Sequence, residues 1–195
     1  DVHLFRTIYH NSLPYVPFLL DAYEEWLTLE EQTNTSLLTL TKGLVIGNPG
    51  LPNMLQVIDT LTRHSIEYDI LASDETKTFY PQHHLLPEEI MVVDPLAGIL
   101  YAHDAIKVAV EHAVHMGATV YDHTHVDHIE EVSDGVIIYA NGKKYKVEKV
   151  VITTGPFIHE LIPELATHIH VRRLIGTWFS VKDSQVFSPE QFPIF

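Results

Sequence analysis

Residues 104–155 read DAIKVAVEHAVHMG (104–117), ATVYDHTHVDHIEEV (118–132), SDGVIIYANGKKYKVE (133–148) and KVVITTG (149–155). In the first piece Ile106, Ala109, Val110 and Ala113 recur at the i, i+3, i+4, i+7 spacing of one helical face, which predicts an amphipathic helix. Gly117 stands where a left-handed terminator ends such a helix. The second piece predicts a strand. In the third, Asn141-Gly142 between Val136–Ala140 and Lys143–Val147 predicts a two-residue hairpin. Val150-Val151-Ile152 is apolar on both faces, as in a strand covered on both sides. Tyr121–Val126 and Val150–Gly155 are expected to lie side by side as parallel neighbours.

The chain around this stretch has 195 residues, 46% of them hydrophobic, with 9 glycines and 11 prolines. That composition predicts a globular protein with a sizeable core. Twelve Lys and Arg against 26 Asp and Glu give a formal charge of −14. So acidic a balance disfavours nucleic acid and anionic membranes as partners. With no cysteine, disulfides, thiolate metal sites and a cysteine nucleophile are excluded. No apolar run reaches the length of a membrane span and no basic-then-apolar leader is present, so the expected location is cytoplasmic. The chain starts without methionine on strand-like residues and stops at Pro193-Ile194-Phe195, which suggests a piece of a longer protein.

In chain order, Leu4–Tyr9 is expected to be extended. Residues 14–32 form a helix with Tyr15, Phe18, Leu19, Ala22, Trp26 and Leu29 on one face and Pro17 in the first turn. Ser36–Gly47 suggests two short strands turning near Lys42-Gly43. Residues 52–64 form a helix starting at Pro52, with Leu55, Ile58 and Leu61 inward. Tyr68–Leu71 and Ile90–Asp94 are strands. Ser73 caps a helix that Pro81 stops. Pro95–Gly98 turns, and Ile99–Tyr101 extends. A short helix follows Pro156, and Ile169–Leu174 and Thr177–Val181 read as strands. The expected class is mixed α+β and α/β.

This order of helix, strand, hairpin and strand ending in Thr153-Thr154-Gly155 resembles the FAD-dependent amino-acid-oxidase-like (DAO) family, in its sarcosine-oxidase and N-methyltryptophan-oxidase branch. Asp1–Arg6 with Tyr9 and Tyr15-Val16-Pro17 looks like the family segment that crosses from the flavin to the substrate pocket. Lys42-Gly43 with Leu44–Gly47 resembles its first substrate-domain hairpin, and Asp94-Pro95 through Leu100 its approach to the long helix. Ala140–Gly142 and Thr153–Phe157 match its hairpin and its return to the cofactor.

The resemblance implies a partial FAD-binding, Rossmann-like domain (1–34 and 102–164) interleaved with part of an antiparallel-sheet substrate domain (35–101 and 165–195). It implies an oxidoreductase acting on the C–N bond of a secondary or N-methyl amino acid, with FAD as cofactor and oxygen as acceptor. Arg6 matches an arginine that grips the substrate carboxylate, a task suited to a guanidinium fork; the alternative is a structural ion pair. His3 falls where relatives have a flavin-contacting arginine. Val126 matches a residue whose backbone meets the adenine edge; the alternative is a core valine. Thr154 and Gly155 form the turn at the cofactor, where glycine allows close approach; the alternative is a simple turn glycine. None of the nine glycines forms the G-x-G-x-x-G fingerprint. By the resemblance, that fingerprint lies upstream and the catalytic residues downstream. This segment alone is therefore expected to hold FAD weakly or not at all.

Two other readings compete. His123-Thr124-His125-Val126-Asp127-His128 spells the H-x-H-x-D-H string of metallo-β-lactamase-like zinc hydrolases. There His123 and His125 would take one zinc, and Asp127 and His128 a second. Against it, Ile129–Val132 continues into a hairpin rather than a glycine-rich helix start; the alternative is a solvated strand. The third reading is a non-catalytic folded remnant, dimeric through exposed strand edges.

Overall fold

The computed structural model describes residues 3–8, 13–189 and 191–195. The expectations at Asp1, Val2 and Tyr9 lie outside them. The chain divides into two compact units, residues 1–118 with 181–195, and 119–180.

In the first unit, β1 (His3–Phe5) leads through a 3-10 turn (Leu13–Tyr15) into α1 (Val16–Thr33). Pro17 sits in the first turn, where its missing N–H costs nothing. Asn34 closes the helix in the left-handed region at φ 49°. On the predicted face Leu19, Ala22, Trp26 and Leu29 are half-buried, whereas Tyr15 and Phe18 are exposed. Val16 is the residue of α1 that is fully buried.

Next come β2 (Leu38–Leu40) and β3 (Gly43–Gly47). The two were expected to turn on each other, and they do not. Lys42 takes a left-handed φ of 64° and sends the chain into a different sheet. Gly43 then packs so closely that a Cβ there would lie 2.5 Å from the Cβ of Ala97. The glycine reads as a turn signal in sequence; in the fold it leaves room for the Ala97 side chain against the strand.

After α2 (Pro52–Arg63) come β4 (Asp69–Ala72), α3 (Ser73–Phe79), β5 (Ile90–Asp94), β6 (Gly98–Leu100) and α4 (Ala102–His115). One antiparallel sheet has the order β1-β6-β2, the other β3-β5-β4. Strand β5 is central and buried on both faces. Alternation splits its side chains: Val92 joins Met54, Val57, Leu61, Ile66, Ile8 and Val16 in one cluster, while Met91 and Val93 join Leu44 and Tyr80 in another.

Three details differ from the helical-wheel expectations. The inward stripe of α2 is Met54, Val57 and Leu61; Leu55 is exposed. Met54 and Leu55 are 100° apart on the wheel, and the contact with β5 selects the former. Ser73 does not cap α3: its hydroxyl donates to the Leu85 carbonyl, and Glu75 Oε2 accepts from the Ala72 N–H at 2.9 Å. In α4, Ala102 and Ala105 are the buried residues, while Ile106 and Val110 are exposed. Of the apolar stripe, Ala109 and Ala113 are half-buried, while no described element covers Ile106 and Val110. Gly117 has the expected positive φ, 101°.

The second unit is a meander of β7 (Val126–Val132), β8 (Gly135–Ala140) and β9 (Lys143–Val147), antiparallel in that order. The Asn141-Gly142 hairpin forms as read. Ala140 pairs with Lys143, and both turn residues have positive φ, 46° and 74°, which matches the right-handed twist of the strands. A 3-10 turn (Gly155–Phe157) runs into α5 (Ile158–Leu161).

The expected parallel pair does not form. Residues 121–125 and 149–154 are irregular, and Val151 is 85% exposed. A strand apolar on both faces needs neighbours and cover on both sides, and no described strand supplies them. Residues 169–180 are likewise irregular rather than two strands, with Leu174, Ile175, Trp178 and Phe179 almost fully exposed. The class is nonetheless the expected mixed one, with antiparallel sheets.

Candidate functional site

Arg6 directly follows β1, between the buried residues Phe5 and Thr7. Strand alternation sends Leu4, Arg6 and Ile8 to one side of this segment. All three line a cavity of about 460 Å³ whose other walls are Leu44, Val45 and Ile46 of β3, Val57 of α2, and Phe195. Arg6, half-buried as a residue, therefore stands at a largely aliphatic wall. Among the described residues the ion pairs are Arg63–Asp59 and Lys146–Asp134, and Arg6 takes part in neither. A cation at a weakly screened surface without a paired carboxylate attracts an anionic ligand strongly.

Behind Arg6 lies Asp94, only 2% exposed. Its Oδ2 accepts from the Thr7 hydroxyl at 2.8 Å and, more loosely, from the Thr7 N–H at 3.4 Å. Its Oδ1 accepts from the Leu96 N–H at 2.9 Å. Burial pushes the Asp94 carboxyl above the ordinary carboxylate range. The hydrogen bonds from Thr7 and Leu96 and the positive charge of Arg6 oppose that rise. Neither Thr7 nor Asp94 stood out in the sequence as a site residue. In sequence Asp94 only ends a strand before the turn at Pro95–Gly98, and its partner Thr7 lies 87 residues away.

His3 is exposed on β1, paired with Leu100. In the second unit Val126 opens β7, half-buried opposite Ala140, with a bulge at the next residue. Strand β7 is at the edge of its sheet, so its outer row of N–H and C=O groups has no strand partner among the described residues. Gly155 has φ 53°, and among the described residues nothing stands within 4 Å of where a Cβ would be. Main-chain contact with a flat nucleotide fits both features: open backbone at Val126, and open space beside Thr154-Gly155.

The histidine string does not gather. His123 takes a positive φ of 49° before the strand begins, and His128 stacks on Tyr139 with ring centroids 4.0 Å apart. No group of three or more His, Asp and Glu among the described residues could hold a metal ion.

The model of the family described as "FAD dependent oxidoreductase" (DAO) matches residues 4–195. The chain belongs to that family. Among the curated relatives, monomeric sarcosine oxidase from Bacillus sp. (strain B-0618) is 27% identical over 199 residues, across all of this chain and 51% of the relative. N-methyl-L-tryptophan oxidase from Yersinia pestis (strain Pestoides F) is 25% identical, across all of this chain and 52% of the relative. This member of the family thus spans about half the length of the curated relatives it matches. Among solved structures, NikD, an unusual amino acid oxidase essential for nikkomycin biosynthesis, shares the fold with a TM-score of 0.69 at 18% identity. That match covers 84% of this chain and 42% of NikD. L-proline dehydrogenase from P. horikoshii gives a TM-score of 0.69 at 16% identity, over 81% of this chain and 42% of the other. The family resemblance read across nearly the whole chain, from Arg6 to Phe157, is thereby shown. No helix among the described residues is long and apolar enough to cross a membrane.

Proposed function

We propose that this chain supplies the substrate-carboxylate anchor of an FAD-dependent oxidase acting on the C–N bond of a secondary or N-methyl amino acid, with oxygen as acceptor. The observation that carries the reading is Arg6 without an ion pair among the described residues, lining an apolar cavity of about 460 Å³. The guanidinium fork binds a carboxylate through two parallel hydrogen bonds and thereby fixes one end of an amino acid. Leu44, Ile46 and Val57 exclude water from the bound carboxylate and strengthen that pairing. The names of the sarcosine and N-methyl-L-tryptophan oxidases support N-methyl amino acids as the substrate class.

FAD, when bound, supplies the electron-pair acceptor. From this chain Val126, Thr154 and Gly155 offer main-chain atoms to it, and His3 is proposed as a contact on the flavin side. Residues 1–34 with 102–164 are assigned to the cofactor domain, and 35–101 with 165–195 to the substrate domain. A cytoplasmic location and a homodimer are part of the same proposal, resting on composition and on exposed strand edges.

The test is oxygen consumption by the whole protein that contains this chain, with N-methyl amino acids as substrates. Arg6→Gln should lower kcat/KM by about 10²-fold or more, as loss of a desolvated charge pair does. It should leave flavin absorption unchanged. Unaltered turnover in that variant would refute the anchor assignment.

A further inference from the structure

We propose that Asp94 is the positioning residue for Arg6: it fixes the backbone on which the guanidinium stands, and it does so through Thr7. The proposal rests on the reading of Arg6 as the carboxylate anchor and adds the device that aims it.

The geometry is specific. Asp94 ends β5 in one sheet, and Thr7 follows β1 in the other. One carboxylate oxygen takes both Thr7 donors, while the other closes an Asx turn at Leu96. That turn leads through Ala97 into β6, whose Gly98 pairs with Phe5. The residues flanking Arg6 are therefore held from both sides: Phe5 by the ladder with β6, and Thr7 by Asp94. Thr7 and Asp94 are 0% and 2% exposed, and Phe5 is 7% exposed. Arg6 between them has no freedom to swing its Cα, and alternation aims its side chain at the cavity.

A hydrophobic residue at position 94 would pack as well in so buried a place. A buried carboxylate is costly there unless hydrogen bonds offset the loss of water, as those from Thr7 and Leu96 do. Its negative charge behind Arg6 also favours the guanidinium in that location without forming an ion pair that would occupy the fork. Among the described residues, a buried anion linked through its neighbour's backbone leaves the Arg6 fork without an ion pair and open to a ligand.

The experiment is an NMR titration of the whole protein that contains this chain with acetate, which carries the carboxylate without an oxidisable C–N bond, following the Arg6 Nε–Hε signal, in parent, Thr7→Val, Thr7→Ser, Asp94→Asn and Arg6→Gln proteins. Thr7→Val removes the hydroxyl at nearly constant shape, so it carries the test if Asp94→Asn fails to fold. The expected result is about tenfold weaker binding in Thr7→Val and Asp94→Asn, the scale of a lost hydrogen bond to a charged group. The free-state Arg6 signal should shift and broaden in both. Thr7→Ser, which keeps the hydroxyl, should restore affinity and signal. If Arg6→Gln abolishes binding while Thr7→Val and Asp94→Asn bind like the parent with an unmoved Arg6 signal, the positioning role is overturned and the anchor stands. If the parent does not bind, or Arg6→Gln binds as well as the parent, the anchor reading falls. The Arg6 signal then decides the positioning role alone: displacement in Thr7→Val supports it, and no displacement overturns it.

Discussion

Leu61 has none of its surface exposed and packs in the cluster between α2 and β5. Leu61→Ala should destabilise the protein by about 2–5 kcal/mol, the range for deleting a fully buried leucine. Leu55→Ala, one wheel position from the buried stripe and 54% exposed, should stay within about 0.5 kcal/mol. Urea unfolding of the two variants checks both values, and equal effects would mean the wrong face has been assigned to the core. His83 offers a test by pH. It is buried, stacked on Phe192 at 4.8 Å and edge-on to Phe195 at 5.2 Å, and its Nε2 has no partner among the described residues. Burial, and then the neighbouring His84, lower its pKa below the ordinary 6.5. The neutral ring is thus the folded form. Its contribution to stability is complete above pH 6.5 and is lost as pH falls through the lower folded value, because the unfolded chain takes up the proton first. His83→Phe keeps an aromatic ring and cannot titrate. Its melting temperature should fall less than the parent's between pH 7 and pH 5, measured by circular dichroism.

Among the elements, the hairpin of β8 and β9 was written locally. Asn141 and Gly142 prefer the left-handed conformations that a tight turn demands, and the flanking runs favour strands. Gly142→Ala should cost about 1–2 kcal/mol at φ 74°. Faster amide exchange along Lys143–Val147 would register it. Gly98 looks equally like a turn glycine, yet it is a strand residue paired with both Phe5 and Leu40. A Cβ there would sit 2.2 Å from the Thr39 carbonyl oxygen. Gly98→Ala should therefore part β2 from β6 and cost roughly 1–3 kcal/mol or more, read from the shift of the denaturation midpoint. Lys42-Gly43 illustrates the same ambiguity. A glycine after a strand signals a bend, but whether the next strand folds back or joins another sheet depends on what β5 and β6 leave open.

For the molecule as a whole, an acidic charge of −14 and 14 histidines invite the notion of a metal protein. The described structure disperses the H-x-H-x-D-H string instead of gathering it. Protein purified without chelator should carry less than about a tenth of an equivalent of zinc, and EDTA should leave its melting temperature unchanged. Stoichiometric zinc by elemental analysis would reopen the hydrolase reading. Flavin is the other ligand to measure. The family is shown over residues 4–195, yet none of the glycines here makes the pyrophosphate fingerprint.

Most helices and strands of the first unit, the Asn141-Gly142 hairpin and the mixed class follow from local signals: capping prolines, period-2 and period-3.6 patterns, and turn residues whose φ preferences are intrinsic; the family came from the resemblance carried by the order of the motifs. Arg6 was singled out only through the family resemblance, since no local pattern separates it from a structural ion pair. Long-range contact alone explains what those signals left open. Residues 149–154 and 169–180 carry strand composition without a described strand to pair with, because a strand is stable only when its ladder and both faces are met. The partner of Asp94 is Thr7, 87 residues away. No periodicity encodes that bond; it exists because two sheets bring the ends of β1 and β5 together around a buried carboxylate.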